Sequence, residues 1–144
     1  MNIGKRIKIV RNLRRMTQKQ LGEKLEFNSA SCDVRIAQYE NGIRTPKGSI
    51  RSRLASILNI NRKAINKPAV EKNEDTIHSL FMLEDVYHIS LKREDDSAIG
   101  LVFDSSHPSY IDIRQWLHMY RLFAEQKITK EEYDDWRYKY QSLA

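Results

Sequence analysis

The sequence predicts a mainly helical protein in two parts, a wholly helical N-terminal half and a small C-terminal α+β unit. Through residues 1–67, apolar residues recur at helical spacing between capping and turn residues, which is typical of several short helices. Strand-like alternation of apolar and polar residues is confined to residues 89–103. The local charge balance also changes sign near Pro68. We therefore expect two domains, residues 1–67 and residues 68–144.

The composition fits a folded protein and not a disordered or membrane-spanning one. The 144 residues are 40% hydrophobic and include 13 aromatic side chains, which is enough for a packed core. No apolar run approaches the roughly 20 residues of a membrane helix, and the N-terminal residues lack the apolar stretch of a signal peptide. The single cysteine, Cys32, cannot form an internal disulfide, so we expect a cytoplasmic protein with no membrane partner.

The two halves carry opposite net charges. Sixteen Lys and Arg against four Asp and Glu give residues 1–67 a charge of +12, and nine against fifteen give residues 68–144 a charge of −6. A polyanion would attract the basic half and repel the acidic half, so the two halves should have different partners. The alternative is a generic basic protein whose acidic end has no separate role.

Two short helices are predicted at the start of the chain. The apolar residues of the first are spaced by four and three and share one face: Ile3, Ile7 and Val10. Asn2 is its expected N-cap. Thr17 and Gln20 form a capping-box pattern that opens the second helix. The expected buried residues of the second helix are Leu21 and Leu25.

A polar turn over residues 26–31 precedes a third predicted helix, which covers about residues 32–41. Ile36 and Tyr39 should face inward. Gly42 follows the last turn, where a helix end favours a residue that tolerates positive φ.

Thr45 and Pro46 supply a cap and a first-turn proline for a fourth helix. Its apolar stripe consists of Ile50, Leu54, Ile57 and Leu58. Ile60 and Ile65 suit a short fifth helix.

The order of these capping, turn and core residues resembles that of phage-repressor-like (XRE-type) helix-turn-helix domains. The residues that carry the resemblance are Thr17-Gln18, Leu21, Leu25, Ile36, Tyr39-Glu40, Gly42 and Arg44-Thr45-Pro46. The resemblance covers roughly residues 2–67 and implies a lambda-repressor-like bundle of five helices that binds DNA as a dimer on a two-fold operator, with its third helix in the major groove. The chain departs from the family by about four extra residues around Asn28–Ser31, between helices two and three.

Side chains on the outward face of the third helix, near its N-terminus, are the ones that reach base edges in helix-turn-helix proteins. The candidates are Asp33, Val34, Arg35 and Gln38. Arg35 suits the paired acceptors of guanine, Gln38 suits adenine, and Val34 suits the methyl group of thymine. Asp33 suits cytosine, but we favour it as the cap of its own helix. The alternative for Arg35 and Gln38 is a solvated helix face.

Donors around this helix should bind phosphates, which position the protein and make its affinity salt-dependent. Gln18 lies at the start of helix two, where the positive helix end favours an anion, and the resemblance implies the same role for it. The other candidates are Arg14, Arg15, Lys19, Arg44 and Lys47. Tyr39 is expected in the core, and Cys32 is expected to be an inert thiol in preference to a redox switch.

A linker over residues 67–73 leads into the C-terminal half, where a helix is expected over residues 74–87. The apolar positions of that helix are Ile77, Leu80, Phe81 and Val86. A β-hairpin with one buried face and a turn over residues 94–97 should follow. The alternating apolar residues of its strands are Ile89, Leu91, Ile99, Leu101 and Phe103.

Two helices are predicted at the end of the chain. After a loop over residues 104–109, helical spacing resumes at Ile113, Trp116, Leu117, Tyr120 and Phe123. Thr129 and Glu132 form a second capping box, and one face of the last helix holds Tyr133, Trp136 and Tyr140. The tail over residues 128–140 resembles the end of repressor-like proteins of Gram-positive bacteria and their mobile elements, a likeness that implies no ligand.

The C-terminal half has no enzyme pattern. Its four histidines and its adjacent carboxylate pairs lack metal-ligand or acid–base spacing, and the chain has no Gly-rich phosphate loop or nucleophile elbow. We therefore expect a sequence-specific DNA-binding transcriptional regulator, a repressor, that acts as a homodimer on double-stranded DNA without a metal or cofactor. One alternative is an antitoxin-like protein whose residues 68–144 bind a partner protein. A third is a nucleic-acid enzyme that uses the helical domain for targeting.

Overall fold

The computed structural model describes residues 3–66, 73–95 and 97–142, and within them the protein is mainly helical with one small antiparallel sheet. In chain order the elements are α1 (Ile3–Leu13), α2 (Gln18–Lys24), α3 (Cys32–Glu40), α4 (Gly48–Ile57), α5 (Arg62–Asn66), α6 (Asn73–Tyr87), β1 (Ser90–Arg93), β2 (Ile99–Val102), α7 (Tyr110–Ala124) and α8 (Lys130–Lys139). Across these described ranges, no helix has both the length and the hydropathy that crossing a bilayer requires. Three predicted features lie outside the described residues: the cap Asn2, the linker over residues 67–72 and Asp96 of the hairpin turn.

The chain divides into two compact units. The first, which we call the helical unit, comprises the described part of Met1–Val70 together with Lys130–Gln141. The second, the α/β unit, comprises the described part of Glu71–Thr129 with Ser142. This differs from a division at residue 67 alone, because α8 joins the first unit although it lies at the far end of the sequence.

The helical unit is built around one apolar core. The fully buried aliphatic side chains come from α1 to α5 and the residues that cap them: Ile7, Val10, Leu21, Leu25, Ile36, Leu54, Leu58 and Ile65. These are positions that helical spacing selects, so the predicted inward faces are confirmed. The first predicted capping box is also confirmed, since the Gln20 N–H donates to Thr17 Oγ1 at 3.1 Å and the Thr17 N–H donates to Gln20 Oε1 at 2.8 Å.

Two predicted helix caps are wrong. Ser31 is the N-cap of α3, and Asp33 lies in its first turn, where a carboxylate is favoured by the positive end of the helix. The N-cap of α4 is Lys47, whose backbone is extended, so Thr45 and Pro46 both precede the helix. Pro46 is fully buried, and it therefore serves in packing instead of in the first helical turn.

A buried ion pair joins α1 to the end of α3. Arg11 Nε donates to Glu40 Oε1 at 2.6 Å and Nη2 donates to Oε2 at 3.1 Å, and the two side chains are only 10% and 1% exposed. Arg11 Nη1 also donates to the Met16 carbonyl oxygen at 2.6 Å, in the connection between α1 and α2. From α2, Gln18 Nε2 donates to Glu40 Oε2 at 2.8 Å. Glu40 therefore joins three helices in one hydrogen-bonded network.

Helix α8 is attached to the helical unit at two places. Arg14 Nη1, just after α1, donates to Asp135 Oδ1 at 2.5 Å. Asn61 donates from its backbone to the Tyr138 carbonyl at 2.9 Å and from its side chain to the Tyr140 carbonyl at 2.7 Å. The Tyr138 side chain packs against the core of the unit. These contacts give the physical reason why α8 belongs with α1 to α5.

The predicted aromatic face of α8 is present. Tyr133 is buried, and its ring stacks on Trp136 with 6.1 Å between centroids. The Trp136 ring in turn meets the Tyr140 ring edge to face at 5.2 Å. The three rings support one another along the last helix and the residue that follows it.

In the α/β unit, the predicted hairpin is confirmed but its predicted buried face is wrong. The strands pair antiparallel, with Leu91 opposite Leu101 and Arg93 opposite Ile99. Leu91 and Ile99 are 72% and 73% exposed, although Ile89, just before β1, is buried. Two strands alone have too little surface to enclose their own apolar residues, so alternation predicted the strands without predicting burial.

Helices α6 and α7 form as predicted, and their apolar faces also remain open. Six of their large apolar side chains are between 46% and 53% exposed: Ile77, Phe81, Val86, Trp116, Leu117 and Tyr120. Exposed apolar residues on this scale are typical of surfaces that contact a partner.

Glu40→Gln should destabilise the helical unit by about 3–5 kcal/mol, because it leaves the buried guanidinium of Arg11 without an opposite charge. Urea unfolding followed by circular dichroism measures the change. The matched control is Glu26→Gln, which breaks an Arg53–Glu26 pair whose side chains are 42% and 82% exposed and should cost less than about 1 kcal/mol. Equal costs for the two substitutions would contradict a central role for the Arg11–Glu40 pair.

The attachment of α8 should weaken in acid. Burial raises the pKa of Asp135, but hydrogen bonds from Lys139 and Arg14 outweigh it and hold that pKa below its ordinary value. Such a carboxylate stabilises the fold above the unfolded-state pKa of about 4, and the stabilisation is lost as the pH falls through the folded-state pKa. Asp135→Asn should therefore cost up to about 1 kcal/mol near neutral pH and progressively less in acid.

Free energies of unfolding for wild type and Asp135→Asn, measured from about pH 2 to pH 7, check this dependence. Glu131→Gln is the control, since it removes a charge from an exposed position of the same helix and should change stability by less than about 0.5 kcal/mol. A difference between wild type and Asp135→Asn that stays constant over the whole pH range would refute the assigned role.

Candidate nucleic-acid interface

Helices α2 and α3 pack at backbone distance, because a glycine faces the first residue of α3. A Cβ atom placed on Gly22 would lie 2.7 Å from Cys32 Cβ and 2.8 Å from the Cys32 carbonyl oxygen. Cys32 is buried, and its thiol lies 3.6 Å from the carbonyl oxygens of Lys19 and Ser29. The packing fixes one helix of the candidate interface against the other.

The outward face of α3 carries the four residues predicted to read bases. Asp33, Val34 and Arg35 are exposed, and Gln38 is half-buried. The opposite face is closed, since Ile36 is fully buried in the core. All four candidates are therefore at least partly accessible, over the first two turns of the helix.

Arg35 lies against an aromatic ring in the turn between α2 and α3. Its guanidinium carbon is 4.6 Å from the centroid of the Phe27 ring, a cation–π contact. Sequence reasoning missed this partner. The signal that could have found it is the single aromatic residue in an otherwise polar turn, in the part of the chain where the extra residues lie.

Four of the predicted phosphate contacts have at least partly exposed side chains. Lys19, Arg44 and Lys47 are exposed, and Lys47 also provides the backbone N-cap of α4. Gln18 lies in the first turn of α2 but is half-buried, because its amide nitrogen donates to Glu40. Gln18 therefore connects the surface of α2 to the buried ion pair.

Arg14 and Arg15 are less suited to phosphate than the sequence suggests. Each nitrogen of the Arg14 guanidinium donates within the helical unit: Nε to the Leu58 carbonyl, Nη1 to Asp135 and Nη2 to the Asn59 carbonyl. These bonds place Arg14 in the attachment of α8 and leave it less available for a phosphate. Arg15 is exposed, but it lines a shallow groove together with Glu131, whose carboxylate disfavours an anion there.

The helical unit is strongly basic even with the acidic helix α8 included. Nineteen Lys and Arg against eight Asp and Glu give residues 1–70 and 130–141 a net charge of +11. The remaining residues carry six basic and eleven acidic side chains, a net charge of −5. The helical unit alone is thus suited to a polyanion.

The α/β unit offers an apolar groove beside its second strand and along α7. The groove encloses about 490 Å³ and is lined by Leu101, Val102, Phe103, Tyr110, Ile113, Trp116, Leu117 and Tyr120. Within the described part of the chain, no three His, Cys, Asp or Glu side chains come close enough together to hold a metal ion. The groove is suited to apolar side chains of another protein surface.

Comparison of the chain with protein-family models, with curated proteins and with solved structures gives no significant match. The resemblance to phage-repressor-like domains therefore stays a prediction from the residues quoted above. The function must be inferred from the packing of α2 on α3, the residues exposed on α3 and the charge of the helical unit.

Gly22→Ala should disturb the packing of α2 on α3 and cost about 1–3 kcal/mol, because the new methyl group overlaps Cys32. The matched control is Gly48→Ala in the first turn of α4, where an added Cβ meets nothing within 4 Å. That change should be neutral or stabilising by up to about 1 kcal/mol. Thermal unfolding compares the two, and a Gly22→Ala protein as stable as Gly48→Ala would rule out the proposed contact.

Proposed function

We propose that the protein is a sequence-specific DNA-binding transcriptional regulator, a repressor that acts in the cytoplasm as a homodimer. The observation that carries the proposal is the exposed face of α3, which presents Arg35 and Gln38 beside exposed cations on a unit of net charge +11. A short helix packed tightly behind an exposed one, in a basic context, is the arrangement that helix-turn-helix proteins use in the major groove.

The order of α1 to α5 supports a lambda-repressor-like layout for residues 3–66. In that layout α2 crosses the DNA backbone and α3 enters the groove. The buried network around Glu40 supports the proposal physically, since it sets α3 against α1 and α2 without using side chains of the outward face.

Base reading is assigned to the outward residues of α3. The guanidinium of Arg35 can donate two parallel hydrogen bonds to guanine, and the Gln38 amide can donate to and accept from adenine. Val34, 53% exposed, can contact a thymine methyl group. Asp33 can accept from cytosine, and its position in the first turn of α3, past the cap, leaves its carboxylate outside the capping role.

Phosphate binding is assigned to Gln18, Lys19, Arg44 and Lys47, with a smaller contribution from Arg15. These contacts fix the position of the protein on DNA and carry no sequence information. Each phosphate that is neutralised releases counterions, so the affinity should fall steeply as salt rises.

Dimerisation is assigned to the α/β unit. One DNA-binding module buries only about 600–1,000 Å² of protein surface, and two half-sites about one helical turn apart make tight specific binding possible. The apolar groove along α7 and the exposed side chains of Trp116, Leu117 and Tyr120 support a protein–protein contact at this unit.

A second candidate function is an interaction protein of the antitoxin kind, in which the α/β unit binds a different protein. The same apolar groove and the net charge of −5 favour it, since a basic partner with an apolar anchor would complement both. DNA binding by the helical unit would then serve autoregulation.

Selection of bound duplexes from a random DNA pool, at near-physiological salt and with the full-length chain, tests the proposal. Wild type should enrich a two-fold motif. Arg35→Ala and Gln38→Ala should each lose preference at particular base positions, at a cost of about 1–3 kcal/mol against the preferred duplex.

Lys47→Ala is the control for phosphate contacts, because it should weaken binding to all duplexes alike. It should also reduce the slope of log affinity against log salt concentration by about one. Recovery of no motif from the wild-type selection would overturn the regulator and favour the interaction protein. If Arg35→Ala weakened binding to all duplexes equally, Arg35 would bind DNA without reading its sequence.

A further inference from the structure

We propose that Phe27 is a specificity-determining residue, which positions the Arg35 guanidinium for guanine by holding it against the phenyl ring before DNA arrives. The inference rests on the proposed function, because it assigns a task within the same interface. The inference goes beyond that function by giving the extended turn between α2 and α3 a role in base selection.

The Phe27 ring is itself held in place. Its backbone N–H donates to the Gly22 carbonyl at 3.1 Å, which ties the residue to α2. Its ring lies 6.4 Å from the ring of Tyr39 and packs against the buried core, and the residue is half-buried. A ring fixed to both α2 and α3 is a rigid platform for a flexible side chain.

The turn that carries Phe27 is ordered by its own hydrogen bonds. Glu26 has a positive φ of 59° and its N–H donates to the Glu23 carbonyl at 2.8 Å. Asn28 accepts at its carbonyl from the Ser31 N–H at 3.0 Å and at Oδ1 from the Ala30 N–H at 3.0 Å. The extra residues therefore form a defined structure next to Phe27.

The contact suits an arginine that must then bind a base. The guanidinium carbon of Arg35 lies 4.6 Å from the ring centroid, on an otherwise exposed side chain. A phenyl ring attracts the cation through its face and has no oxygen or nitrogen acceptor to occupy the N–H donors. Those donors stay available for the O6 and N7 atoms of guanine, while the ring reduces the freedom that Arg35 must lose on binding.

The experiment compares Phe27→Leu, which keeps an apolar side chain but removes the ring, with Phe27→Tyr, which keeps the ring. Each is examined in the wild-type and Arg35→Ala backgrounds. The readout is the specificity ratio: the dissociation constant for a duplex with guanine replaced at the position that Arg35 reads, divided by the dissociation constant for the selected duplex. Circular dichroism establishes the folded fraction of each variant.

Phe27→Leu should lower that ratio by about two- to fivefold, the factor expected for a cation–π contact at an exposed site. Phe27→Tyr should keep the ratio of wild type. In the Arg35→Ala background, Phe27→Leu should leave the ratio unchanged, since the two residues act through one contact. A purely structural loss would weaken both duplexes alike and leave every ratio at its starting value.

Two outcomes would overturn the inference alone: an unchanged ratio for Phe27→Leu, or an equal fall with Arg35 absent. In both, wild type still enriches a motif, so the proposed function stands. A wild-type selection without any motif would overturn both the proposed function and the inference that rests on it.

Discussion

The buried ion pair between Arg11 and Glu40 sets the arrangement on which the proposed interface depends. Two charges that lose their water stabilise a fold only when their geometry is good and their other hydrogen-bonding capacity is used. Here the Met16 carbonyl accepts from Arg11, and the Gln18 amide donates to Glu40. Other placements of α3 would leave a buried charge without its partner. The pair therefore selects one orientation for the helix whose outer face carries Arg35.

The two units differ in how much of their apolar surface they leave exposed to solvent. The helical unit encloses its core aliphatic side chains completely, and among its described residues the exposed large apolar side chains are Ile9, Val34 and Ile43. The α/β unit leaves large side chains such as Trp116 and Tyr120 about half exposed. A basic unit that is packed by itself and an acidic unit with open apolar faces are suited to different partners, in keeping with the opposite charges along the chain.

Local rules predicted the helices of residues 3–66 well, because spacing and capping act within a few residues, as at Thr17 and Gln20. The identity of the N-cap residue of α3 was harder to predict, since Ser31 and Asp33 are both good capping residues and lie two positions apart. Alternation predicted the hairpin, but burial depends on what covers it. The Phe27–Arg35 contact depends on the path of a turn, and the Arg14–Asp135 pair joins residues 121 apart, so spacing carried no signal for either.

The pairing of Arg14 with Asp135 makes the helical unit discontinuous along the chain, with consequences for its synthesis. At about 5–20 residues per second, α8 is translated several seconds after residues 3–66. The five N-terminal helices can therefore collapse on the ribosome while the Arg14 guanidinium still lacks its carboxylate. The last helix then closes a long loop, at an entropic cost that grows only slowly with loop length. The helical unit thus acquires its final support only after residues 130–141 have been translated, and a chain terminated before them would carry an unfinished version of it.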